Sequence, residues 1–182
     1  MLKYYKKEAS GVILYKETWI DNEQGQYIIH WGKYGYQGKV KQVLLKEYTS
    51  EEEYFRLFKE ECEKENYSLI PSDEIYQVVI QFPLASAFGN KRDKWLQEKI
   101  EEYLNEYLGW RGVGHVDGFD IGEFKLNIYC KVIEPIKAVS CIKTCLKVSH
   151  LDLTRCCIAS RKQNEEEYTI HYSLKKVTTF QL

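Results

Sequence analysis

The residues best suited to chemistry are His115, Asp117 and Asp120, which lie close together among four glycines. Imidazole and carboxylate groups are metal ligands, and together they also transfer protons. Alternation along a strand would put His115 and Asp117 on one face. However, no fourth ligand is evident, and Gly-Asp pairs are also common in hairpin turns. A metal-dependent enzyme that uses these three residues is therefore one alternative, and an ordinary hairpin is the other.

The remaining motifs do not add a reaction. Gly112-Val113-Gly114 matches part of a dinucleotide-binding fingerprint, but no predicted helix opens directly after it. The serines and cysteines lack an identifiable histidine partner. None of the six cysteines forms a CxxC pair, so we expect buried, reduced thiols rather than a zinc site. We therefore predict no catalytic residue, no cofactor and no metal site.

Two other segments suit binding rather than catalysis. In the stretch from Trp31 to Gly38, three of the seven residues from Gly32 onward are glycines. This spacing predicts a tight loop or bulge with bulky side chains that project from it. Trp110 and Arg111 directly follow Gly109, and an exposed pair there would make a contact anchor. Tryptophan is more often a core residue, and that alternative stays open for both tryptophans.

The elements that must position these residues fall into two groups. In the first, residues 11–20, 26–31 and 39–47 predict strands, and Gly25 supplies the positive φ of the first turn. Ser50 to Glu53 forms a capping box that begins a helix ending near Asn66. Pro71 to Glu74 is the best linker in the chain. We predict domains at residues 1–70 and 75–182, joined by the linker 71–74.

The second group alternates strands and helices. Strands are predicted at 75–82, around the glycines at 112–122, and at 124–133, 154–161 and 168–172. Asn90 caps a helix to Leu108, and Pro135 begins another to about Lys147. The order strand, helix, strand, strand, helix, strand, strand predicts a split βαβ or ferredoxin-like domain with an extra edge strand. The predicted fold class is therefore α+β.

The first half resembles the WGR domain, a module of some poly(ADP-ribose) polymerases and of many bacterial proteins. The resemblance covers about residues 10–67 and rests on Tyr27 to Gly35, Gln37-Gly38-Lys39, and a helix ending in Asn66-Tyr67. Lys33 stands where the family usually has arginine, and Asn66 where it has glycine. The resemblance implies an antiparallel sheet with one helix.

The same resemblance implies that Trp31 and Lys33 occupy the positions that hold a DNA break in the polymerases. An indole stacks on exposed bases, and an ammonium group neutralises phosphate without the fork of a guanidinium. Tyr34, Lys39 and Lys41 extend the implied surface, with the three lysines forming a small basic strip. The competing interpretation is that Trp31 is core and the lysines are a solvated strand face.

Charge and composition limit the class of protein. The net charge is −1, but residues 1–48 carry +3 and residues 49–74 carry −6. This distribution of charge permits a local anion-binding face. The chain as a whole lacks the strong positive charge of a dedicated duplex-binding protein. No apolar run reaches the about 20 residues of a membrane span, and no signal peptide is evident. We expect a cytoplasmic protein without membrane partners.

Three functions remain open from the sequence. The first is a bacterial-type, non-catalytic binding protein whose partner is a nucleic acid or a protein. The second is an immunity-type protein that neutralises a toxin by protein–protein contact, favoured by the acidic runs Glu51 to Glu53 and Glu165 to Glu167. The third is the metal-dependent enzyme that uses His115, Asp117 and Asp120.

Overall fold

The computed structural model describes residues 1–182, the whole chain. It is an α+β structure with two antiparallel sheets and three α-helices, as the sequence predicts. The chain divides into two compact units. The first comprises Met1–Ile70 together with Trp110–Gly112, and the second comprises Pro71–Gly109 and Val113–Leu182. The sequence had placed Trp110–Gly112 in the second domain, and the structure groups these residues with the first.

The first unit contains a four-stranded sheet and one helix. Its elements are β1 (Leu2–Lys7), β2 (Ile13–Asp21), β3 (Gln26–Lys33), β4 (Lys39–Leu44) and α1 (Glu51–Lys64). The strands lie in sequence order, each antiparallel to the next. Strand β1 is absent from the sequence-based prediction. It forms because six of its residues pair with β2, a non-local interaction that its lysine-rich sequence does not reveal.

Local signals define the turns and the helix of this unit. Gly25 has the predicted positive φ of 64°, and Asn66 adopts a φ of 62° after α1. The Ser50 hydroxyl accepts a hydrogen bond from the Glu53 backbone N–H at 3.1 Å, which is the predicted cap. The Glu53 carboxylate does not complete the box on Ser50. It accepts instead from the backbone N–H of Thr49 at 2.9 Å.

Helix α1 covers one face of the first sheet with aromatic side chains. Phe58 and Cys62 pack on Tyr4, while Tyr54 stacks on Tyr27 with ring centroids 3.6 Å apart. Inside this core, the hydroxyls of Thr18 and Tyr54 form a hydrogen bond of 2.5 Å, so the buried polar atoms are satisfied. The apolar stripe predicted for this helix is therefore its buried face.

The second unit contains five strands and two helices. They are β5 (Tyr76–Pro83), α2 (Lys91–Gly109), β6 (Gly114–Gly122), β7 (Lys125–Val132), α3 (Pro135–Val148), β8 (Cys157–Lys162) and β9 (Thr169–Ser173). The sheet order is β6-β7-β5-β8-β9, and every neighbouring pair is antiparallel. The glycine-rich stretch forms one strand, β6, with a bulge between Val116 and Gly118. The predicted linker is not extended, because Ser72–Glu74 forms a 3₁₀ turn.

Both helices of this unit begin as the sequence predicts. The Asn90 side chain accepts from the backbone N–H groups of Arg92 and Asp93, and Pro135 is the first residue of α3. All six cysteines are buried, as the sequence predicts. None of the three helices combines the length and the apolar character needed to cross a lipid bilayer.

Candidate functional site

The candidate site of the first unit centres on Trp31 near the end of β3. Register places Trp31 directly between Lys16 on β2 and Lys39 on β4, and Tyr4 on β1 completes the row. Directly paired residues share one face of an antiparallel sheet. The face is the one that carries α1, since Tyr4 packs on that helix. Trp31 itself is half-buried, neither sealed in the core nor fully exposed.

Lysines surround this half-buried indole. Lys33 lies two residues beyond Trp31 on β3, and Lys41 lies two residues beyond Lys39 on β4, so all three share the face of Trp31 and are exposed. The fourth lysine of the face, Lys16, is different. Its ammonium group pairs with Glu61 at 2.5 Å and with Glu65 at 3.4 Å, both on α1.

The three outer lysines carry uncompensated charge. Lys33, Lys39 and Lys41 form no ion pair with a carboxylate, whereas Lys16 is neutralised by α1. Exposed ammonium groups on one sheet face create a positive potential that attracts anions. The predicted basic strip is thus a set of three lysines on the face of Trp31, beyond the part that α1 covers. We call Trp31, Lys33, Lys39 and Lys41 the Trp31 face.

The two tyrosines in the loop after β3 differ in their exposure to solvent. Tyr34, predicted as a contact residue, is only 4% exposed, and its ring lies 6.4 Å from that of Tyr5. Its burial is a correction to the predicted site, because a sealed ring cannot touch a ligand. Tyr36 is 51% exposed, and the Lys33 ammonium group lies 5.1 Å from its ring centroid. Tyr36 is therefore the tyrosine that borders the Trp31 face.

The opposite face of the same sheet carries a buried hydrogen-bonded chain. The Lys3 ammonium group pairs with Glu17 at 2.9 Å, and Glu17 Oε1 lies 2.7 Å from His30 Nδ1. His30 Nε2 lies 2.9 Å from the Tyr15 hydroxyl. Glu17, His30 and Tyr15 are all buried. We call Lys3, Glu17, His30 and Tyr15 the Glu17–His30 network.

Burial shifts the ionisation of this network. It raises the pKa of the Tyr15 hydroxyl, and the neighbouring Glu17 charge adds to that rise. Burial also raises the pKa of Glu17, but the hydrogen bond with His30 and the charge of Lys3 outweigh it, so the pKa lies below its usual range. A carboxylate, imidazole and hydroxyl in series resemble acid–base machinery, but these groups are sealed from solvent and partnered among themselves.

Trp110–Gly112 lies against this network and against the glycine-rich loop. The backbone N–H groups of Gly35 and Gly38 donate to the carbonyls of Arg111 and Trp110, at 2.9 and 3.0 Å. The Tyr5 hydroxyl donates to the Gly112 carbonyl at 3.2 Å. The Trp110 ring lies 5.1 Å from His30 and stays 39% exposed. Arg111 is half-buried.

Gly38 and Gly112 have no room for a side chain, because other residues lie close to their backbone. A Cβ atom at Gly38 would overlap the Tyr15 hydroxyl and His30 Nε2, and one at Gly112 would overlap the Tyr15 ring. Gly112 also has a positive φ of 64°. Trp110 and Arg111, the weaker predicted anchors, contact the loop after β3 through their backbone carbonyls, and the Trp110 ring also lies beside His30.

The three chemical candidates of the second unit are not assembled into a metal site. Asp117 lies in the β6 bulge and pairs with Lys131 at 2.8 Å. Asp120 accepts hydrogen bonds from Asn127 at 2.9 Å and from the Tyr129 hydroxyl. No group of three histidine, cysteine or carboxylate side chains in the chain has metal-binding geometry. The structure therefore does not bring His115, Asp117 and Asp120 together as a set of three metal ligands.

Comparisons with family models, curated proteins and solved structures found no match to this chain.

Sequence reasoning missed two features of the site. Tyr36 was passed over, and no local sequence signal distinguishes it from the buried Tyr34 in the same glycine-rich loop. The Glu17–His30 network had a weaker signal, because Glu17 shares its strand face with the aromatic residues Tyr15 and Trp19. Its partner His30 is identified only by the strand register, which pairs it with Glu17.

Proposed function

We propose that the first unit is a WGR-like module that binds nucleic acid weakly through the Trp31 face. The observation that carries the proposal is the register of β3 and β4, which puts Lys39 beside the half-buried Trp31 and Lys41 beside Ile29. Lys33 and the exposed Tyr36 border the same surface. This surface has the aromatic and cationic groups that single-stranded nucleic acid requires.

The WGR-like assignment is supported by more than the tryptophan. Strands β2, β3 and β4 precede α1 in the implied order, and Trp31-Gly32-Lys33 ends β3. Asn66, which stands at the family's glycine position, has the left-handed φ that glycine ordinarily supplies. Lys33 remains the main departure, since an ammonium group binds phosphate as a point charge.

The chemistry of the surface sets the kind of binding. Three exposed lysines neutralise at most a few phosphates, so affinity is modest and falls with salt. A half-buried indole offers only part of its surface for stacking, which favours an unpaired base over a duplex. We therefore expect a preference for single-stranded over double-stranded nucleic acid, with little dependence on base sequence.

The test is fluorescence anisotropy of a labelled single-stranded oligonucleotide over a series of salt concentrations. For the whole protein we expect a log–log salt slope of about −2, from three lysines at about 0.7 each. The double variant Lys39→Gln/Lys41→Gln should reduce the slope by about 1.4 and weaken binding at least about tenfold at low salt. Trp31→Leu should weaken binding about tenfold with an unchanged slope, because it removes stacking but no charge.

A matched control is available on α1. Lys59→Gln/Lys64→Gln also removes two positive charges from exposed positions of the same unit, but on the helix and not on β3 or β4. It should bind almost as the parent protein does. Binding that ignores salt, or equal losses in both double variants, would refute the proposed surface.

We also infer that the second unit follows the ferredoxin-like plan with one extra edge strand. The support is the order strand, helix, strand, strand, helix, strand from β5 to β8, together with the sheet order β6-β7-β5-β8. Strand β9 adds to the edge beside β8. This plan hosts many unrelated functions, so it assigns none by itself.

A protein partner is the second candidate, of the immunity type. The observation that favours it is a helix, α1, that exposes most of its glutamates, while residues 49–74 carry a net charge of −6. An acidic helix can cover the basic active site of a nuclease toxin. Under this proposal, Glu61→Gln/Glu63→Gln would weaken capture of a basic protein partner, whereas the lysine variants of the Trp31 face would not.

A further inference from the structure

A small polar cavity lies within the second unit, on the face of its sheet opposite to Val78 and Ile80. Register places three of its lining residues in one row, with Gln77 of β5 between Lys131 of β7 and Arg161 of β8. The cavity has a volume of about 170 Å³. That is far more than the about 15 Å³ that one ordered water needs.

Six residues line the cavity. They are Ile75, Gln77, Asp117, Lys131, Arg161 and Gln163.

Arg161 lines the cavity with a side chain that is fixed in place. Its Nε is the one buried side-chain nitrogen or oxygen in the chain that has no hydrogen-bond partner. Buried donors are normally paired, and an unpaired one costs about 1–3 kcal/mol. The guanidinium carbon lies 4.7 Å from the ring centroid of Tyr168, so the group is held in place by stacking. Because the Nε atom is shut off from solvent, Arg161 offers a cavity ligand its fixed positive charge and its terminal N–H groups.

Gln77 supplies a second oriented donor. The Tyr168 hydroxyl donates to Gln77 Oε1 at 2.6 Å, so the amide nitrogen is the end left for the cavity. Tyr168 thereby positions both donors, one by stacking and one by a hydrogen bond. An arginine and an amide side by side form a lining that donates hydrogen bonds and attracts an acceptor with negative charge.

Charge decides which acceptor fits. Arg161 and Lys131 are positive, but Lys131 is already paired with Asp117 at 2.8 Å. The lining therefore carries about one net positive charge. A carboxylate brings one negative charge, whereas a phosphate group near pH 7 brings about 1.5 to 2 and would be repelled by Asp117.

We propose that this cavity is a binding site for a small carboxylate, held by Arg161 and Gln77 and positioned by Tyr168. The site is independent of the Trp31 face, since every residue that lines it belongs to the second unit. Lys131 and Asp117 complete the wall as an ion pair and limit the ligand to a single charge.

The test is an NMR titration of the full chain with sodium acetate at constant ionic strength. We expect saturable shifts of the backbone amides of Gln77, Lys131 and Arg161, with a Kd of about 1 mM or tighter. Acetamide, which has the size of acetate without its charge, should cause no saturable shift. Inorganic phosphate should bind at least about tenfold more weakly than acetate.

Two variants and one control separate the site from a general salt effect. Arg161→Lys keeps the charge but removes the terminal N–H groups of the guanidinium, and it should weaken acetate binding at least about tenfold. Gln77→Glu keeps the size and the acceptor for Tyr168 but replaces the donor by a negative charge, and it should abolish binding. Arg92→Lys changes an exposed arginine paired with Asp152, outside the cavity, and should leave binding unchanged.

The outcomes that overturn the site are equally definite. Shifts that grow linearly with acetate, equal shifts with acetamide, or tighter binding of phosphate each refute a carboxylate site. Binding that survives Gln77→Glu also refutes it, and this isosteric variant decides the question even where Arg161→Lys fails to fold.

Discussion

Glu17 is the one carboxylate of the Glu17–His30 network. It is 5% exposed, and its two oxygens are divided between Lys3 at 2.9 Å and His30 at 2.7 Å. Its pKa lies below the usual range because these two partners outweigh the effect of burial. A carboxyl group whose pKa is lower in the folded state stabilises that state above its unfolded pKa of about 4.3, and the contribution disappears as pH falls through the folded pKa.

The substitution Glu17→Gln should therefore lower the free energy of unfolding near neutral pH by about 3 kcal/mol, the cost of breaking a buried ion pair from one side. Urea unfolding at neutral and at acidic pH measures the effect. The difference from the parent protein should shrink as pH falls below about 4, where Glu17 of the parent protein also becomes protonated. Glu23→Gln, an exposed change in the turn before β3, should do little at either pH. A Glu17→Gln deficit that is equal at both pH values would contradict this account.

Gly38, in the loop between β3 and β4, lets the side chains of Tyr15 and His30 lie close to the backbone. Gly38→Ala should destabilise the protein by about 2 kcal/mol, because its Cβ would overlap Tyr15 and His30, and a packed interior resists added atoms. Thermal unfolding measures this. Gly109→Ala is the matched control, since its Cβ meets no atom within 4 Å and alanine favours the end of α2. Equal stability of the two variants would show that the loop is loose rather than packed.

The sequence predicts elements where the signal is local. Ser50, Asn90 and Pro135 all begin helices in the structure, since a cap is a contact between residues two or three positions apart. Strand β1 was missed because its tyrosines and lysines do not alternate, and they become a strand only through pairing with β2. Trp110–Gly112 was assigned to the wrong unit for the same reason, since no local pattern encodes a hydrogen bond between Gly35 and Arg111.

The candidate site, like the fold, was predictable only where the sequence signal is local. Trp31 and Lys33 were named from the resemblance to the WGR domain, with Lys39 and Lys41 as nearby lysines. Strand alternation is enough to place all four on one face once the strands are known. Tyr34 and Tyr36 are two residues apart in one loop, and only the packing of Tyr34 near Tyr5 separates a buried ring from an exposed one. The carboxylate cavity was not predictable, because Lys131, Gln77 and Arg161 meet through the order of three strands.

Across the whole molecule, the six cysteines are buried and form no disulfide. Burial raises the pKa of Cys62 and that of Cys156 to about 12, so the reactive thiolate is scarce at physiological pH. We expect all six thiols to resist a thiol-specific aromatic disulfide reagent in the native protein and to react fully in denaturant. The absorbance of the released thiolate measures both. Rapid modification of one native thiol would show that its part of the core opens.

The position of β4 has a further consequence. It is the last strand of its sheet, so one side of its backbone has no neighbouring strand, and Val40 and Leu44 are 42% and 46% exposed. Such an edge can recruit the edge of another molecule, and lysines on it oppose that association by charge repulsion. Lys39 and Lys41 would thus serve solubility as well as attraction of a polyanion. Replacing both with neutral residues removes a barrier to edge-to-edge aggregation.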